Sequence, residues 1–222
     1  MFNFEKYNLK EMKDFFIEKA KNSRIEIEMN DVYFIGELFD SILGQGVEKT
    51  SFYFREYPDI VFKTFIGECF SYAPEDLEYL YTSFNNEKQI FIAAKENNLS
   101  NFFVPSLEIC KYKFNFSFID DEENKEFTLP IVIQPRVDVY DDNKEKSYYT
   151  TKEIQDKYMT LQSKGDFSEF LREEFLLELL KNHSEEEVFN LVVFLEERGI
   201  CDFHYENVGF LNDDFVILDY SM

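Results

Sequence analysis

The sequence predicts an α+β fold with an antiparallel sheet first and a mostly helical part after it. Strand-like runs bounded by turn residues gather within 31–137, and two long apolar-striped helical segments follow before a last short hairpin. A chain of 222 residues, 45% apolar and 18% aromatic, can bury a sizeable core as one domain with two lobes or as two small domains. The expected organisation is a helical extension over 1–30, a sheet part over 31–137 and a mostly helical part over 138–222.

EKYNLKEMKDFFIEKA reads as an amphipathic helix within the extension. Leu43-Gly44-Gln45-Gly46-Val47 is followed by the strand SFYF and, past a turn from Glu56 to Asp59, by the strand IVFKTF. Lys63 is flanked there by Val61, Phe62 and Phe65, and a lysine in so apolar a strand wants a carboxylate if it points inward. Glu87 fits that need. Ile90, Phe91 and Ala94 lie three, four and seven residues beyond it, so the carboxylate shares an apolar helix face. Glu75 and Glu78 are poorer alternatives. After Pro105, SLEICKYKFNFSFI and EFTLPIVIQPRV read as a hairpin around DDEENK, with Pro135 offering no N–H.

In the second half, Asp166 with Glu169 and Ser184 with Glu187 look like capping boxes opening two helices, the second ending at Gly199. The chain then enters CDFHYENVGFLNDDFVILDYSM. VGFL and FVIL read as two short strands joined by the turn-prone Asn212-Asp213-Asp214, which folds Asp219 back beside Asn207.

Asp202, an Asn five residues on, a short hairpin and a second Asp form a spacing that resembles the catalytic segment of the protein-kinase and aminoglycoside-phosphotransferase superfamily. The glycine pair, the strand lysine and the helix glutamate occur ahead of it in the order that superfamily uses. The resemblance covers roughly residues 40–222. It implies a protein-kinase-like bilobal fold and Mg²⁺-ATP-dependent transfer to a protein hydroxyl. Asp202 would be the base, Asn207 and Asp219 would hold Mg²⁺, and Lys63, oriented by Glu87, would meet the α- and β-phosphates. Gly44 and Gly46 would cover the phosphates, while Gln134 and Arg136 would lie at a hinge that meets the adenine. His204 fits either a cation facing the γ-phosphate or a hydrogen-bonded structural histidine.

Two departures stand out. Lys49 occupies the usual third glycine position, and Cys201 stands where many protein kinases have an arginine that reads a phosphorylated activation loop. Met222 lies three residues past Asp219, so no such loop is expected.

A formal charge of −22, from 45 acidic against 23 basic residues, disfavours a broad nucleic-acid surface and favours a partner with a basic face. The alternative function is therefore a pseudokinase or acidic interaction protein, viral in one version, that inhibits or scaffolds a basic partner. Cys69, Cys110 and Cys201 are widely spaced, which argues against a disulfide framework or zinc site, and Cys201 reads as a small buried residue. No apolar segment approaches membrane-spanning length, and a cytoplasmic location is expected.

Overall fold

The computed structural model describes residues 2–29, 31–46, 49–67, 74–120, 122–140, 151–165, 167, 171–201 and 203–220, with the backbone alone at 74–81 and 83. It is a mixed α+β chain that divides into two compact units, residues 1–84 with 105–136 and residues 85–104 with 137–222.

The first unit begins with helix α1 (Leu9–Lys21), opened by the Asn8 side chain accepting from the Glu11 N–H. Its Met12, Phe16 and Ala20, spaced four apart, form the buried stripe. Strands β1 (Ser23–Glu28) and β2 (Asp31–Gly36) make a regular antiparallel hairpin, with Ile25, Ile27, Val32 and Phe34 turned inward. This differs from the expected helical extension over 1–30. SRIEIE alternates with period two, a strand signal, and α1 and β1 belong to the first unit and its core.

Strands β3 (Ile42–Gln45), β4 (Thr50–Tyr53), β5 (Ile60–Thr64), β6 (Leu107–Phe118) and β7 (Glu123–Pro135) complete a seven-stranded sheet in the order β2-β1-β6-β7-β5-β4-β3. Every neighbouring pair is antiparallel except β1 with β6. The sheet curls. Phe34 of β2 and Phe52 of β4 meet at 5.4 Å between ring centroids, although four strands separate them in the order. Phe16 of α1 fills the curl, stacked on Phe62 at 5.5 Å. Lys19 and Glu37 close the end of α1 at 2.6 Å, and that contact, helped by Asn22, holds the Glu37 carboxyl below its ordinary range.

Helix α2 (Pro74–Glu96) joins the two units in sequence. The second unit contains its last twelve residues, then α3 (Lys152–Gln162), α4 (Glu173–Asn182) and α5 (Glu185–Glu197). The Ser184–Glu187 capping box forms as expected, and Gly199 adopts φ +64° just past α5. The Asp166–Glu169 pair lies outside the described residues, and α4 starts later, at Glu173 behind Arg172. Val188, Leu191, Val192 and Leu195 pack with Phe175, Leu176, Leu179 and Leu180 into a core separate from the aromatic one. A small sheet, β10-β9-β8, is built from β8 (Asp138–Val139), β9 (Val208–Leu211) and β10 (Asp214–Ile217). Among the described residues, no helix is long and apolar enough to cross a membrane.

Candidate functional site

In the first unit, the sheet register sorts the predicted residues by face. Phe52 pairs with Phe62 and Thr50 with Thr64 on the core side, so Ser51 and Lys63, which pair with each other, lie on the opposite side. Gly44 pairs with Ser51, Val132 with Lys63 and Gln134 with Val61, which puts Gly44, Lys63 and Gln134 on that second face together. Arg136 joins them through its guanidinium, 4.5 Å from the Tyr53 ring centroid. In a chain with twice as many acids as bases, this face gathers Lys49, Lys63 and Arg136.

The glycines there differ from those the fold demands. A Cβ added at Gly209 would lie 2.5 Å from the Asp138 carbonyl oxygen, so β8 can approach β9 only over a glycine. At Gly44 an added Cβ would meet nothing within 4 Å among the described residues, and at Gly46 only the Lys49 carbonyl oxygen at 3.9 Å. Neither has a positive φ. The Gly46 N–H donates to the Lys49 carbonyl (2.9 Å), and the Gln45 side chain ties β3 to the Gly67 carbonyl (3.1 Å). Val47 lies outside the described residues.

The segment read as a hinge is heavily committed. Gln134, only 2% exposed, donates through its side chain to the Ser106 hydroxyl at 2.6 Å. Arg136 donates its backbone N–H to the Asp59 carbonyl at 2.8 Å, and Pro135 has no N–H. The donor expected beside Pro135 is thus used within the first unit. Sequence reasoning missed this because Asp59 is remote in sequence, although it had placed Asp59 at the end of a turn.

The second unit holds Glu87, His204, Asn207 and Asp219. Glu87 is 5% exposed on the face that also buries Ile90 and Ala94, as its spacing predicts. Asn212 and Asp213 both adopt positive φ, 54° and 66°, giving β9 and β10 the tight two-residue turn that suits strand twist. Val208 pairs with Ile217, and one step further the Leu218 N–H donates to the Asn207 carbonyl at 2.8 Å. Asn207 and Asp219 therefore flank the open end of one hairpin, both half-buried.

Three contacts fix that hairpin. Asn182, the last residue of α4, donates to the Asp213 carbonyl and the Asp214 carboxylate, both at 3.1 Å. The Val104 N–H donates to the Ile217 carbonyl at 2.9 Å. The Tyr220 hydroxyl donates to the Val104 carbonyl at 2.9 Å, with its ring 1% exposed, so both neighbours of Asp219 are held. The His204 carbonyl accepts from the Asn207 N–H at 3.0 Å, closing the turn that enters β9. Asp202 lies outside the described residues.

Cys201, expected to be buried, is exposed, because the chain has left α5 and begun the loop toward β9. Cys110 is partly buried, and burial raises its thiol above the ordinary range, which makes it a poor nucleophile. His183 sits at the end of α4 with its ring 4.4 Å from that of Phe102 and with Nε2 buried and without a hydrogen-bond partner. Burial pushes its pKa down, opposed by Glu187 and Asp214.

Among the described residues, no group of three or more His, Cys, Asp or Glu could hold a metal ion. Asn207 and Asp219 carry side-chain oxygens of the kind Mg²⁺ takes alongside waters and phosphate oxygens. Comparison with protein-family models, curated proteins and solved structures finds no match to the chain.

Proposed function

We propose that the chain is a Mg²⁺-ATP-dependent phosphotransferase of the protein-kinase-like superfamily, acting on a protein hydroxyl in the cytoplasm. The observation that carries this reading is the β9–β10 hairpin, whose pinned open end is flanked by Asn207 and Asp219. Five antiparallel strands, β3 to β7, with α2 between the third and fourth, support a kinase-like sheet lobe. Helices α3, α4 and α5, gathered in the second unit, support a reduced helical lobe after it.

Lys63 serves the phosphates, Gly44 and Gly46 let the backbone approach them, and Asp202 accepts the proton of the attacking hydroxyl. The resemblance assigns Glu87, buried on its helix, the part of the glutamate that orients such a lysine, and His204 stands beside the base in sequence as a second group able to carry positive charge. Mg²⁺, when bound, neutralises the charge of the transferring phosphoryl group. The protein substrate presents a basic surface, given the charge of −22.

One observation favours a second reading, a pseudokinase or acidic scaffold for a basic partner. The Arg136 N–H, which an adenine edge would need, is spent on Asp59.

Incubation of the purified chain with radiolabelled ATP, Mg²⁺ and a basic protein substrate decides between them. Label transfer that falls ~10²–10⁴-fold in Asp202→Asn, with nucleotide binding kept, is the expected result. Asp219→Asn should weaken Mg²⁺-ATP binding itself, since a metal ligand loses its charge. No transfer, and no change in melting temperature in millimolar Mg²⁺-ATP, would leave the scaffold reading.

A further inference from the structure

Helix α4 touches the β9–β10 hairpin at both of its ends. Its last residue, Asn182, donates to the Asp213 carbonyl and the Asp214 carboxylate at the closed end. Its first turn meets the chain entering the open end, where the Tyr205 hydroxyl donates to the Glu174 carboxylate at 2.9 Å. A ten-residue helix is about 15 Å long and a four-residue strand about 13 Å, so α4 matches in length the strand it braces.

Tyr205 is held by its ring as well as by its hydroxyl. The ring stacks on Tyr140 at 5.7 Å with 11° between the planes, meets Phe175 edge-on at 5.7 Å, and has the Arg172 guanidinium 4.6 Å from its centroid. The Tyr140 N–H in turn donates to the Val208 carbonyl at 3.0 Å. A phenylalanine could make the ring contacts. Only the hydroxyl reaches Glu174, and a hydroxyl bonded to a carboxylate is among the stronger hydrogen bonds.

Tyr205 begins the short turn Tyr205–Asn207, which the Asn207 N–H closes on the His204 carbonyl at 3.0 Å. In so short a turn, whatever moves Tyr205 moves Asn207 with it. Mg²⁺ demands near-ideal octahedral geometry, so a displaced ligand binds it less well.

We propose that Tyr205, bonded to Glu174, is a positioning residue that holds Asn207 for the metal ion, with α4 as the brace behind it. The proposal rests on the Mg²⁺-ATP reading of the hairpin and adds to it the groups that set one ligand's place.

Two measurements on the full chain test it, the first without nucleotide. In amide hydrogen exchange, Tyr205→Phe should speed the Asn207 N–H about tenfold and leave the N–H groups of Val192 and Leu195, within α5, unchanged. In calorimetric titration, Tyr205→Phe should bind Mg²⁺-ATP about tenfold more weakly, as loss of a group behind a metal ligand does, and should bind ATP in excess EDTA as the parent does. Glu174→Gln, which keeps an acceptor oxygen, should lose less. The double variant should lose no more than Tyr205→Phe alone, because both changes break one bond.

If Tyr205→Phe weakens ATP equally with and without metal, or speeds the α5 amides as much as Asn207, Tyr205 serves only the fold and the proposal is overturned. An unchanged Asn207 exchange rate overturns it as well. A parent chain that binds no Mg²⁺-ATP overturns the nucleotide reading and the metal role together. Binding by the parent with the same Mg²⁺ dependence in Tyr205→Phe overturns the positioning role alone.

Discussion

The two units carry their candidate site residues in opposite ways. The first spreads its cations over a sheet face where a Cβ at Gly44 or Gly46 would meet no close neighbour among the described residues. The second concentrates its oxygen donors at one hairpin end, clamped through Asn182, Val104 and Tyr220 and dependent on Gly209. Where the fold explains a glycine, nothing else is needed to explain it. Gly44 and Gly46 face no such demand among the described residues, and the proposed nucleotide supplies a reason for them, because a backbone without side chains lets phosphates approach.

The two cores differ as well. The first is aromatic, with Phe16, Phe34, Phe52, Phe54 and Phe62 meeting edge-on or stacked. The second is mainly aliphatic along α4 and α5. The largest expected effect tests that difference. Phe62→Ala removes a fully buried ring that touches Phe16 and Phe54, and should cost about 3–5 kcal/mol by denaturant unfolding. Leu191→Ala, also fully buried, should cost about 2–5 kcal/mol. If the two units unfold separately, each variant should move only its own transition; a single shared transition displaced by both would show that they unfold as one.

Next in size is Gly209→Ala. Its Cβ would lie 2.5 Å from the Asp138 carbonyl oxygen and 2.6 Å from Val137 Cγ1, so the β8 contact must open, at a cost of about 1–3 kcal/mol. An unchanged melting temperature would show that β8 contributes nothing to stability.

Much of this was legible locally. The Ser184–Glu187 box, the Asn212–Asp213 turn and the Glu87–Ile90–Ala94 face each rest on residues a few positions apart, and the structure forms all three. What escaped depended on remote partners. Gly209 is explained by Asp138, the occupied Arg136 donor by Asp59, and the burial of Lys49 involves Phe65, which lies opposite it across a hairpin. The strand β1 was legible in SRIEIE but was hidden by the strong helical pattern just before it.

Gly44→Ala should act in the reverse sense to Gly209→Ala. With ordinary φ and open space, the alanine limits the unfolded chain and should raise stability by about 0.4–1 kcal/mol. If the open space belongs to a ligand, the same variant should bind Mg²⁺-ATP more weakly. A stabilised variant with undiminished nucleotide binding would remove Gly44 from the proposed site.

The smallest effect concerns pH and the second unit alone. His183 is held neutral by burial, its pKa lowered from the ordinary 6.5, with Glu187 and Asp214 as the nearby charges that oppose the shift. The unfolded chain therefore takes up a proton first as pH falls. The stabilisation from a neutral His183 is complete above pH 6.5 and is lost progressively below it, toward the lowered folded value. Glu187, whose pKa is lowered from 4.5 by its bonds to Ser184, contributes in the same direction but only once pH falls below about that value. Between pH 6.5 and 5, His183→Leu should thus flatten the decline in melting temperature seen in the parent, while Glu187→Gln should leave most of that decline in place. Equal slopes for the parent and His183→Leu would mean that the ring is solvated in both states, and the pinning of the hairpin would then owe nothing to a dry α4–α5 junction.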